Sequence, residues 1–240
     1  MTEENADPLA LQLAVRVEKL DPPNVDHVLA ATALAVIALL ADERTKSGGE
    51  WFAAVDAWNG ARIRKLVRRA RASAWERAHD APGITVEHGS AEVRAFVPGP
   101  MSEAPPEVAK LQIQSTAIIE PDPIDSLRPL EPDTLVLVVN PEISMSWGKM
   151  AAQTAHAGQR AWQMVAADAG ARWEGSGMPI VAIRPTPRLW DELFGRADVT
   201  IHDGGFTEIA PGTLTTIAFW SDPPGFVPPV IDPRNPRRPY

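Results

Sequence analysis

The sequence contains no cysteine, which excludes disulfides, thiolate metal sites and cysteine nucleophiles together and leaves any chemistry to oxygen and nitrogen groups. It lacks a long apolar run. The longest, residues 28–41, includes Thr32 and falls short of the roughly 20 residues that a bilayer span needs, so it reads as a buried helix. It lacks a basic-then-apolar leader: Met1-Thr2-Glu3-Glu4-Asn5-Ala6-Asp7 is acidic and polar, so the expected location is cytoplasmic, with no membrane partner. It also lacks an excess of cations. A net charge of -8 argues against a protein that coats nucleic acid non-specifically, because neutralising phosphates takes a cationic surface.

What it has in plenty is proline, 24 in 240 residues, gathered at 120–133 and 221–240, where they mark a linker and a tail rather than element interiors. The 45% hydrophobic content suits one large domain or two small ones. The division expected is 1–119, a linker at 120–133, a domain at 134–220 and a tail at 221–240. Seven prolines in that tail rule out helix or central strand there.

Residues 9–20 and 24–42 are rich in Ala and Leu and predict helices, the second capped by Asn24 or Asp26. A third helix is expected at 50–79, where Ile63, Leu66, Val67, Ala70 and Ala74 form one apolar stripe. Its other faces carry Arg62, Arg64, Lys65, Arg68, Arg69 and Arg71 with no acid among them. Arg62, Lys65, Arg68 and Arg69 are therefore candidate RNA contacts. The plainer account is the polar outside of an amphipathic helix, in a chain where Arg outnumbers Lys 18 to 5. After Pro82-Gly83, alternation at 84–88, Gly89-Ser90, and then 92–97 predict a β-hairpin. The first region is thus expected to be mainly helical with one hairpin.

From 134 the pattern changes to strand at 134–139, helix at about 148–169, strand at 179–184, short helix at 187–195, and strands at 198–202 and 213–220. Buried strands alternating with helices predict an α/β sandwich. On its first helix Lys149, Gln153 and His156 lie at i, i+4 and i+7 and point one way, with small alanines around them. A Gly148-Lys149 opening at a helix N-terminus suits a phosphate or oxyanion. Alone, such a Lys is more often solvated surface and such a His a packed or capping residue. A second constellation is Asp203-Gly204-Gly205-Phe206-Thr207, followed by Pro211-Gly212-Thr213-Leu214-Thr215. An Asp ending a strand before two glycines can sit exposed at the strand's carboxyl end; by itself it reads equally as a turn residue.

Together and in order, the two segments resemble the peptidyl-tRNA hydrolases of the archaeal and eukaryotic type. The resemblance rests on Leu135-Val136-Leu137-Val138-Val139, then Met145-Ser146-Trp147-Gly148-Lys149-Met150-Ala151-Ala152-Gln153-Thr154-Ala155-His156-Ala157, and on the Asp-x-Gly-x-Thr and Pro-Gly-Thr-x-Thr segments above. It covers about residues 133–220. It implies a mixed four-stranded sheet flanked by helices, and a hydrolase that cleaves the ester between a peptide and the 3′ end of tRNA, without metal or other cofactor. Peptidyl-tRNA is the implied partner, and a homodimer is compatible with it. It points to Lys149, Asp203, His156 and Gln153 as catalytic candidates, and to Gly148, Thr207, Thr213 and Thr215 as substrate-binding candidates. The chain departs from the family pattern where a second lysine is usual: Ser146-Trp147 stands there, and one cation for RNA is gone. Asn140 and Glu142 replace a common Arg and Asp, and 188–196 replaces a longer acidic helix. Ester hydrolysis needs an oriented water, a proton acceptor and oxyanion stabilisation. Two alternatives stay open: a non-catalytic adaptor for RNA or protein that keeps the fold, and a hydrolase of another acyl-tRNA or acyl ester.

Overall fold

The computed structural model describes residues 7–61, 63–113, 118–205 and 208–221. The chain forms two compact units. One comprises residues 1–121 with 146–155, the other 122–145 with 156–240.

The first unit is built on a five-stranded sheet, not on helices. Strand β1 (Leu9–Arg16) is central, parallel to β2 (Lys65–Ala70) and antiparallel to β4 (Ala91–Phe96). The predicted hairpin is present as β3 (Gly83–His88) and β4, and the two-residue strand β5 (Gly99–Pro100) pairs with the start of β1. Helix α1 (Val25–Ala41) has all but four of its 17 residues buried; a helix that is apolar on all sides belongs inside. Asn24 caps it as expected, its Oδ1 accepting from the Asp26 N–H at 2.8 Å.

Two helical expectations fail here. Residues 9–16 are a strand: β1 is buried on both faces, so it shows no alternation, and its leucines and alanines score as helix formers until packing overrides propensity. The helix expected at 50–79 is instead α2 (Phe52–Gly60), strand β2 and α3 (Ser73–Ala78). The basic side chains of β2 are not an exposed helical face. Arg68 is buried, its Nε donating to Gln12 Oε1 (2.6 Å) and its Nη1 to the Leu111 carbonyl (2.8 Å). Lys65 is buried with its ammonium 5.2 Å from the centre of the Trp58 ring, and Arg69 bonds the Gln112 side chain. Arg62 lies outside the described residues.

The second unit carries the expected mixed sheet in the order β7-β6-β9-β8. These are β6 (Leu135–Val139), β7 (Ile180–Ile183), β8 (Val199–His202) and β9 (Leu214–Trp220). β6 runs parallel to β7 and antiparallel to β9, which is antiparallel to β8. The carboxyl ends of β6, β7 and β8 and the start of β9 therefore share one edge. α4 (Pro106–Ala109) belongs to the first unit. Helix α5 (Trp147–Met164) contributes residues through Ala155 to the first unit and the rest to the second. The long helix expected at 148–169 is interrupted at Val165-Ala166 with no Gly or Pro to mark it, and α6 (Ala167–Gly175) follows. α7 (Pro187–Phe194) is the expected short helix.

The proline-punctuated stretch before β6, expected as a linker, repeats apolar residues every third position. Ile124, Leu127 and Leu130, three apart, pack on a core of Val136, Val138, Trp190, Leu193, Ile217 and Phe219. Three residues per turn is the repeat of extended, proline-rich chain. The backbone of Ile124 is tied to the segment after β7, donating to the Arg184 carbonyl (3.0 Å) and accepting from the Thr186 N–H (2.8 Å). Residues 222–240, and so nearly all of the expected tail, lie outside the described residues.

Candidate active site

Of the residues singled out in the sequence, Asp203, Thr213 and Thr215 are brought together at the shared sheet edge of the second unit. Asp203 is buried, and its main chain is held on both sides: its N–H donates to the Thr213 carbonyl and its carbonyl accepts from the Gly212 N–H, each at 2.8 Å. One carboxylate oxygen accepts from the Gly205 N–H at 2.8 Å, an Asx turn that fixes the side chain without neutralising its charge. Gly205 is required there. Its φ is +77°, and a Cβ would fall 2.3 Å from Pro211 Cγ.

Thr215 is fully buried, and its hydroxyl donates to the Ile201 carbonyl at 3.1 Å. It braces the end of β8 two residues before Asp203, where the β8–β9 register shifts between Ile201 and His202. His202 Nδ1 lies 3.1 Å from the Gly212 carbonyl; an oxygen acceptor there places the proton on that nitrogen. Asn140, at the end of β6, closes the same edge. Its Nδ2 donates to the Leu214 carbonyl and its Oδ1 accepts from the Glu142 N–H, each at 2.9 Å. Sequence reasoning noted Asn140 only as a departure from a family pattern; an Asn just past a strand and two residues before a turn is the available signal for such a clamp.

On α5, Lys149, Gln153 and His156 occupy successive turns. Lys149 and His156 are half-buried and Gln153 is buried. Ser146 caps the helix, its Oγ accepting from the Lys149 N–H (3.3 Å) and its carbonyl from the Met150 N–H (2.9 Å). Trp147, where the family usually has lysine, is buried, so this position serves packing and supplies no charge. The alanines have a clear purpose in the first unit. Ala151 and Ala155 are fully buried, and small side chains let helices approach closely; Thr154 donates across that contact to the Leu29 carbonyl of α1 at 3.2 Å. Gly148 is different. A Cβ built on it meets nothing within 4 Å, so no neighbour in the chain demands a glycine.

Thr207 lies outside the described residues. Among the described residues no three His, Cys, Asp or Glu side chains gather as metal ligands, and no helix is long and apolar enough to cross a membrane. Lys65 and Arg68, buried on β2, are not available as surface cations.

A family model described as peptidyl-tRNA hydrolase PTH2 matches residues 134–188, from the start of β6 into α7. The mitochondrial peptidyl-tRNA hydrolase 2 of Bos taurus is 30% identical over 125 residues, covering 42% of this chain and 70% of that protein. The peptidyl-tRNA hydrolase of Haloquadratum walsbyi is 30% identical over 95 residues, 36% of this chain and 83% of its own. That of Halobacterium salinarum is 31% identical over 97 residues, 37% and 85% respectively. No solved structure gives a significant match. The strand order of the second unit agrees with the mixed sheet that the motifs implied, and with relatives covered over more than two thirds of their length the conclusion is direct: this chain belongs to the peptidyl-tRNA hydrolase family and is a hydrolase.

Proposed function

We propose that the chain hydrolyses the ester joining a peptide, or an N-blocked aminoacyl group, to the 3′ end of tRNA, returning the tRNA to translation. The observation that carries this reading is Asp203: a carboxylate oriented by the Gly205 N–H, at the carboxyl edge of an α/β sheet where such folds bind ligands. Asp203 steers or deprotonates the attacking water, with His156 as the second candidate base. Lys149 and the first N–H groups of α5 are the candidates to stabilise the developing oxyanion or to bind the terminal phosphate. The open space over Gly148 admits substrate close to the backbone. Gln153 orients Lys149 or the substrate amide, Thr207 donates to the terminal ribose or the ester, Thr213 donates to the ester, and Thr215 positions Asp203 through β8.

The test is release of N-acetyl amino acid from N-acetyl-aminoacyl-tRNA by the purified protein, run beside a tRNA-binding measurement. Turnover supports the reading. An inert protein that still binds tRNA supports the adaptor alternative, which the buried Trp147 at the position of a family lysine favours. Failure of both rejects the two together.

A further inference from the structure

Beside the Asp203 turn the second unit holds a depression of about 550 Å³, whose lining includes Asn140, Glu142, Trp190, Asp191, Phe194 and Thr213. It adjoins the proposed chemistry directly, since the Thr213 carbonyl accepts from the Asp203 N–H at 2.8 Å. Its character is aromatic and acidic. Trp190 and Phe194 sit one turn apart on α7 with ring centres 6.0 Å apart, and Phe194 is 46% exposed, a large ring face left to solvent. Glu142 and Asp191 are exposed carboxylates on two different segments of the rim, and none of the lining side chains is cationic. Asn140 holds the rim in place through its bonds to Leu214 and Glu142.

An ester of tRNA has two arms, a polyanion and a peptide. Two carboxylates raise the local negative potential and disfavour phosphate, so the tRNA arm does not belong in this depression. The exposed ring of Phe194, backed by Trp190 and set beside two carboxylates, suits a flexible alkyl stem that ends in a cation, which can pack its methylenes on the ring and its charge against the acids. Resting on the ester-hydrolase reading, we infer that this depression is the acyl subsite and that it favours peptides whose tRNA-linked residue is Arg or Lys.

The experiment charges one tRNA body in turn with N-acetyl-arginine, N-acetyl-alanine and N-acetyl-glutamate and measures kcat/KM for each, with wild type and with Glu142→Gln/Asp191→Asn. Both positions are exposed, and a melting curve checks the variant's fold. The wild type is expected to prefer arginyl over glutamyl by about fivefold, the scale of exposed charge pairs, with the ratio shrinking as salt is raised and falling to about one in the double variant. Equal turnover of all three substrates overturns the subsite and leaves the hydrolase reading standing. An arginyl preference that survives the double variant also overturns it. Absence of turnover on every substrate defeats the hydrolase reading itself, and the subsite with it.

Discussion

At the scale of single residues, two side chains make distinct predictions. Gly148 has space where a Cβ would go, so Gly148→Ala should leave the fold intact and add up to about 1 kcal/mol of helix stability. If substrate backbone or phosphate approaches there, the same variant loses kcat/KM; a melting curve beside a rate measurement separates the two effects, and an unchanged rate would remove Gly148 from the site. Lys65 is the other case. Burial pushes its ammonium well below the ordinary pKa of 10.5. Its folded pKa lies below its unfolded one, so the unfolded chain binds more protons between the two values and stability rises with pH across that window. Lys65→Met should flatten the rise toward pH 10, as denaturant titrations at several pH values would report; an unchanged slope would mean Lys65 does not titrate with folding.

At the scale of elements, the proline-rich stretch behaves as a strap. Leu127→Ser with Leu130→Ser should cost about 1–3 kcal/mol, since each removes half-buried apolar surface from the core under α7; urea unfolding measures it, and an unchanged midpoint would mean the stretch is a free spacer. Elements of the second unit were legible in sequence where their patterns were local. The continuous apolar run of β6 and the Pro187 start of α7 led to the right assignments within a residue or two. β1 and β2 were not legible, for opposite reasons. β1 is covered on both faces, so its pattern has no alternation to read. β2 hides Lys65 and Arg68 inside, where carbonyls and a ring replace water; a rule that puts charge outside mistakes such a strand for a polar helix face. The same limit applied to the site. Asp203 and its glycines were visible as a turn, but Thr215 as a brace, Asn140 as a clamp and the Trp190–Phe194 wall depend on contacts between segments far apart in the chain.

At the scale of the whole molecule, charge governs how substrate is met. The chain carries -8 overall, two of the expected surface cations are buried, and tryptophan stands in place of a family lysine. Binding of tRNA should therefore rest on few phosphate contacts. The slope of log affinity against log salt should be shallow, on the order of -1 to -2, given about -0.7 per contact for single strands; fluorescence titration from low to moderate salt measures it, and a slope several times steeper would show a cationic surface outside the residues considered. The proposed chemistry turns on Asp203. The measurement that tests it most directly is single-turnover hydrolysis of N-acetyl-aminoacyl-tRNA with enzyme in excess, comparing wild type and Asp203→Asn at matched thermal stability. Loss of a positioned acid–base group should slow the variant by about 10²- to 10⁴-fold with tRNA binding retained; equal rates would contradict the account.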